Sequence, residues 1–103
     1  MKSKKYHLHD GRHGAAVMIR ITQNAPFNQV TEFSSDGIIT INLAVGQEIN
    51  ATLISYLSFI LGMPTSNIEL VAGFESNQKL ISFQDINPEE IQEKLNMLRQ
   101  KNS

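Results

Sequence analysis

Four polar or glycine positions in one stretch, Asn50, Gly73, Ser76 and Lys79, carry the residue types that could bind a ligand. A lysine beside a helix start is the chemistry of an anion site. An asparagine offers both a donor and acceptors. Ser76 is a nucleophile only if a base activates it, and the three histidines, His7, His9 and His13, all lie near the N-terminus. No acid, base or nucleophile completes a catalytic set, so no catalytic residue is assigned. The histidines lack a cysteine or a helically spaced carboxylate to complete a ligand set, so no metal is assigned and no cofactor is implied. They read as part of a solvated tail.

Each of the four also has a structural reading. Asn50 falls within the apolar arc of its helix, between Leu57 and Leu61 in angle, so its amide must find partners. Tying the helix start to a neighbouring turn would provide them. Lys79 shares parity with Ile81 and Phe83. As a structural residue it would pair with Glu48 or Glu75 and run its stem over the core. Ser76 would serve as a turn hydroxyl. Glu48 in the first helical turn would already satisfy the helix dipole and oppose a second anion.

The elements that position these residues can be read from periodicity. Residues 15–22 alternate, with Val17, Ile19 and Ile21 on one side, and form a first strand. Pro26 breaks the chain, and residues 30–33 read as a short strand or a strand-like loop. Residues 38–43 form a second strand, expected antiparallel to the first. A helix from Gln47 or Glu48 to Leu61 presents Ile49, Leu53, Tyr56, Leu57 and Ile60 inward. Gly62 and Pro64 stop it. Residues 67–73 and 79–83 form a hairpin of third and fourth strands. A second helix opens on Asn87, Pro88 and Glu90, a capping box, with Ile91, Leu95 and Leu98 as its stripe.

The expected class is α+β: a two-layer β-β-α-β-β-α fold with a mixed four-stranded sheet and both helices on one face. A strand–helix–strand crossover makes the second and third strands parallel. Asn50, Gly73, Ser76 and Lys79 then share one rim, where open α/β sheets take their ligands. Residues 1–14 read as a polar tail, 15–100 as a single domain and 101–103 as a frayed end.

The chain resembles the small uncharacterised YggU-like family over residues 14–95. The likeness is densest in "AVGQEINATLISYLSFILGMPTSNIELVAGFESNQKLISF". There the chain keeps Asn50, Leu53, Leu57, Leu61, Gly62, Ser66, Ile68, Leu70, Gly73, Ser76 and Lys79 of the family pattern. Ile21 and Ala25 match it near the first strand. Gln23, the pair Gln47–Glu48, and Asn77 replace a family proline, a Gly-Lys pair and an arginine. Pro26 and Phe27 replace basic residues, so this chain resembles a divergent, less basic member. The resemblance implies a two-layer α/β domain and supplies no activity, since the family has no settled one.

Charge and composition narrow the function classes. The chain has 103 residues, enough for one core, and no cysteine, which suits a reducing compartment and leads to an expected cytoplasmic location. No apolar run approaches the ~20 residues of a membrane span. Between Ile21 and Glu93 the only cation is Lys79, so the domain body lacks the clustered positive charge of a nucleic-acid surface. Any such binding falls to the basic tails. There is no charge between Glu48 and Glu69, and Thr52, Ser55, Ser58 and Phe59 occupy the outer face of the first helix. A neutral face with an outward phenylalanine is a candidate protein contact or weak homodimer surface. The expected function is a small non-enzymatic binding or protein-interaction domain. The alternatives are weak nucleic-acid binding through the tails, and an enzyme or binder for an anionic small molecule at the Asn50–Lys79 rim.

Overall fold

A computed structural model of the protein describes residues 14–101. The strands are β1 (Gly14–Thr22), β2 (Gln29–Phe33), β3 (Ile39–Asn42), β4 (Ile68–Ala72) and β5 (Gln78–Gln84). The helices are α1 (Ile49–Leu61) and α2 (Pro88–Lys101), with a 3-10 turn at Thr65–Asn67 before β4. The class is α+β, and the strands form one open mixed sheet in the order β2-β3-β1-β5-β4. Gly14, assigned to the tail, opens β1, and Lys101, assigned to the frayed end, closes α2. The remaining tail, with His7, His9 and His13, lies outside the described residues.

The sheet has five strands rather than the expected four. The segment read as strand or loop is a full edge strand, pairing antiparallel with β3 through Val30↔Ile41 and Phe33↔Ile39. A register shift between Val30 and Glu32 disrupts its alternation, which is why period-two reading undervalues it. Val30 is nonetheless fully buried. This strand also overturns the expected antiparallel pairing of β1 with β3. By reversing the chain between them, β2 returns β3 in the direction of β1, and the two pair in parallel through Ile19↔Ile39 and Ile21↔Ile41.

β5 pairs antiparallel with β1, Val17↔Ile81 and Ile19↔Lys79, and with β4 on its other side. It follows that β1, β3 and β4 all point the same way. The expected common direction of β3 and β4 therefore holds, but β1 and β5 lie between them.

Alternation along the strands sends one set of side chains into a single core. Ile19, Ile21, Ile39, Ile41, Ile81 and Phe83 meet Leu53, Leu57 and Leu61 of α1 and Ile91 and Leu95 of α2. Each such burial stabilises by about 1.5–3 kcal/mol relative to exposure. The layers differ in detail from expectation, because α1 packs on β4 whereas α2 packs on β2 and β1.

The termini of α1 explain its placement. Glu48 is not in the first turn: it precedes the helix with left-handed φ 54° and ψ 41°, and its side chain makes no capping hydrogen bond. At the other end Gly62, φ 69°, donates its N–H to the Ser58 carbonyl, the expected glycine stop. The capping box of α2 forms as expected. The Glu90 N–H donates to Asn87 Oδ1 at 2.9 Å, and the Asn87 N–H donates to Glu90 Oε1 at 3.2 Å.

Candidate functional site

Because β1, β3 and β4 run together, their carboxyl ends meet at one edge of the sheet with the starts of β5 and α1. Asn50, Gly73, Ser76 and Lys79 are brought together there. Asn50 Nδ2 donates to the Phe74 carbonyl at 3.0 Å, so its amide ties α1 to the turn between β4 and β5. Lys79 Nζ donates to the carbonyls of Gly73 at 2.9 Å and Phe74 at 3.2 Å. The Ser76 N–H donates to the Gly73 carbonyl at 3.1 Å, and Ser76 Oγ accepts from the Gln78 N–H at 3.0 Å. The hydroxyl is thus a turn element.

Gly73 is required by space as well as by conformation. Its φ is +82°, and a Cβ there would stand 2.3 Å from the Gln78 carbonyl oxygen and 3.0 Å from Lys79 Cα. The close approach lets the strand turn back so that Lys79 enters β5 pointing toward the core.

Lys79 is 2% exposed. The expected pairing with Glu48 or Glu75 is absent: backbone carbonyls are its partners. Burial holds its ammonium below the ordinary lysine pKa. A buried charge without an opposite charge is costly, and carbonyl dipoles compensate only part of the lost hydration. The neighbouring Asn50 Oδ1 is also buried, with no donor facing it. The polar groups of this rim are therefore incompletely satisfied by the protein.

These groups line a cleft of about 450 Å³ between the start of α1 and the β4–β5 turn. Gln23, Phe74 and Asn77 contribute to its wall, as do the carboxylate-bearing Glu48 and Glu75. The first intrahelical bond of α1 runs from the Thr52 N–H to the Glu48 carbonyl. The amides of Ile49, Asn50 and Ala51 accordingly have no acceptor within the helix. Sequence reading missed Gln23 and Asn77, which join through a side-chain contact at 3.4 Å. Their proximity follows from the β1–β5 pairing, and no pattern local to either residue reveals it. Phe74 was missed because its backbone carbonyl, not its side chain, organises the rim.

No protein-family model matches the chain, and no solved structure matches it. No described helix is long and apolar enough to cross a membrane. Among the described residues no group of histidine, cysteine, aspartate and glutamate side chains could hold a metal ion.

The second candidate lies along the outer face of α1. Phe59 is 83% exposed, and Ser55 is also exposed. Beside them is a shallow groove of about 390 Å³ lined by Asn28, Ala51, Thr52, Ser55, Tyr56 and Phe59. Phe27, which precedes Asn28 of this lining, and Phe74, whose carbonyl accepts from Asn50 Nδ2, are also exposed.

Proposed function

We propose that the chain is a divergent YggU-like domain that works by non-enzymatic binding, and that the rim cleft takes an anionic group. The observation that carries this reading is Lys79: a buried ammonium that lines an open cleft and has no acidic partner. An anion in the cleft supplies the missing charge, and the unbonded amides at the start of α1 supply further donors.

The cleft also carries selectivity. Glu48 and Glu75 line it, so a multiply charged phosphate meets two carboxylates, whereas a carboxylate brings a single charge. We infer a preference for a carboxylate-bearing ligand. Catalysis is not part of the reading, because Ser76 Oγ already accepts the Gln78 N–H within the turn.

The test is a titration of the protein with acetate and, separately, with inorganic phosphate, followed by amide resonances in two-dimensional NMR. Saturable shifts in residues 49–51 and 73–79 with acetate, lost in Lys79→Met, are expected. Equal, non-saturating shifts in wild type and Lys79→Met would overturn the proposal.

A further inference from the structure

We propose that the outer face of α1 is a self-association surface, on which a second copy of this chain docks antiparallel about Ser55 and each copy seats its Phe59 in the other's groove.

Charge selects the occupant. A two-fold interface sets a surface against itself, so every charge near the axis meets a like charge. Residues 49–68 contain no aspartate, glutamate, lysine or arginine, and this face can meet its own copy without that repulsion. On the exposed side of α2, by contrast, a glutamate placed at the axis, Glu89 or Glu93, would oppose its own counterpart.

The shape is also self-complementary. Phe59 lies four residues after Ser55 and Ala51 four before, a rise of about 6 Å on either side. Antiparallel pairing about Ser55 therefore sets Phe59 of one copy opposite Ala51 of the other. The projecting ring stands at one end of the face, and the small side chains of Ala51, Thr52 and Ser55 line the groove toward the other. An aromatic ring that leaves water in this way buries about 150–250 Å². A stable dimer buries about 800 Å² per partner. A single helix face centred on one ring falls short of that, so the dimer is weak and concentration-dependent.

The chain has no cysteine, which permits a direct test. Ser55→Cys places one thiol at the proposed axis, and Gln92→Cys places one on the exposed side of α2 as a control. Sedimentation of the wild type up to roughly millimolar concentration should show the mean mass rising toward that of a dimer. Phe59→Glu, an exposed substitution whose fold is checked by circular dichroism, should hold the monomer mass throughout. Under mild oxidation Ser55→Cys should cross-link roughly tenfold faster than Gln92→Cys, because the axis supplies a high effective concentration. Adding Phe59→Glu should abolish that advantage. A wild type that stays monomeric would overturn the proposal. So would a dimer indifferent to Phe59→Glu, or equal cross-linking of the two thiols.

Discussion

Asn50 Nδ2 and Lys79 Nζ converge on one acceptor, the Phe74 carbonyl oxygen, at 3.0 and 3.2 Å. One side chain comes from the start of α1 and the other from the start of β5. A single backbone oxygen thus joins the helix to the hairpin, and Phe74 is one of the residues that line the cleft. This arrangement also makes Lys79 partly redundant as a structural tie. Phe74 O keeps Asn50 and Gly73 O keeps the Ser76 N–H when the ammonium is removed.

Lys79→Met should therefore cost little stability. Both carbonyls retain a donor, the apolar stem is preserved, and the desolvated charge is gone. Urea unfolding at pH 7 should give a change within about 1 kcal/mol, or a gain, because replacing a buried charge by an apolar residue of similar shape is often neutral or stabilising. A loss of several kcal/mol would make Lys79 a structural lock and weaken the case for a ligand.

Glu48→Asn should improve anion binding. Glu48 sits at left-handed φ, a conformation asparagine tolerates better, and it is among the residues that line the cleft. Removing one negative charge near an anion at partly screened distance is worth about 1 kcal/mol, or roughly fivefold in affinity for acetate. The fold should be as stable as the wild type or slightly more so. Titration of the two proteins side by side checks this.

Gly73→Ala should destabilise strongly. The new methyl group meets the Gln78 carbonyl at 2.3 Å, and the positive φ adds strain. A loss of about 2–4 kcal/mol is expected by thermal or denaturant unfolding, as for other overpacked and conformationally strained sites. Binding should fail with it, since the same turn carries both carbonyls that hold Lys79.

Much of this architecture was legible because local signals agreed with one another. The alternation of Val17, Ile19 and Ile21 marked β1, and Asn87 with Glu90 marked the start of α2. Gly62 and Pro64 marked the end of α1. The β4–β5 hairpin also followed from a short polar link. What failed was pairing. Whether β1 runs with or against β3 depends on β2, whose alternation is broken by the shift between Val30 and Glu32. A local pattern cannot state which strand will be its neighbour. The rim survived that error because it needs only the common direction of β3 and β4. Gln23 did not, because its place beside Asn77 depends on β1 pairing with β5. The expected Lys79 ion pair failed for a different reason. Parity showed that the side chain turns inward, but whether it meets a carboxylate or two carbonyls is decided by the turn at Gly73, within ångströms. The acidic composition of the body also reads more strongly in three dimensions. Its one cation between Ile21 and Glu93 is buried, leaving no exposed positive charge in that span for a nucleic-acid backbone.

The most direct measurement is the titration of Lys79 itself, followed through its side-chain Cε resonance with and without saturating acetate. Burial depresses its pKa in the folded protein, so the unfolded chain binds that proton more tightly. Wild-type stability relative to Lys79→Met should therefore rise with pH from the folded value up to the ordinary lysine value. An anion in the cleft favours the protonated form. The account predicts a depressed pKa that moves upward when acetate is present, and acetate affinity that falls as pH passes through it. A lysine whose titration is the same with and without acetate would contradict it.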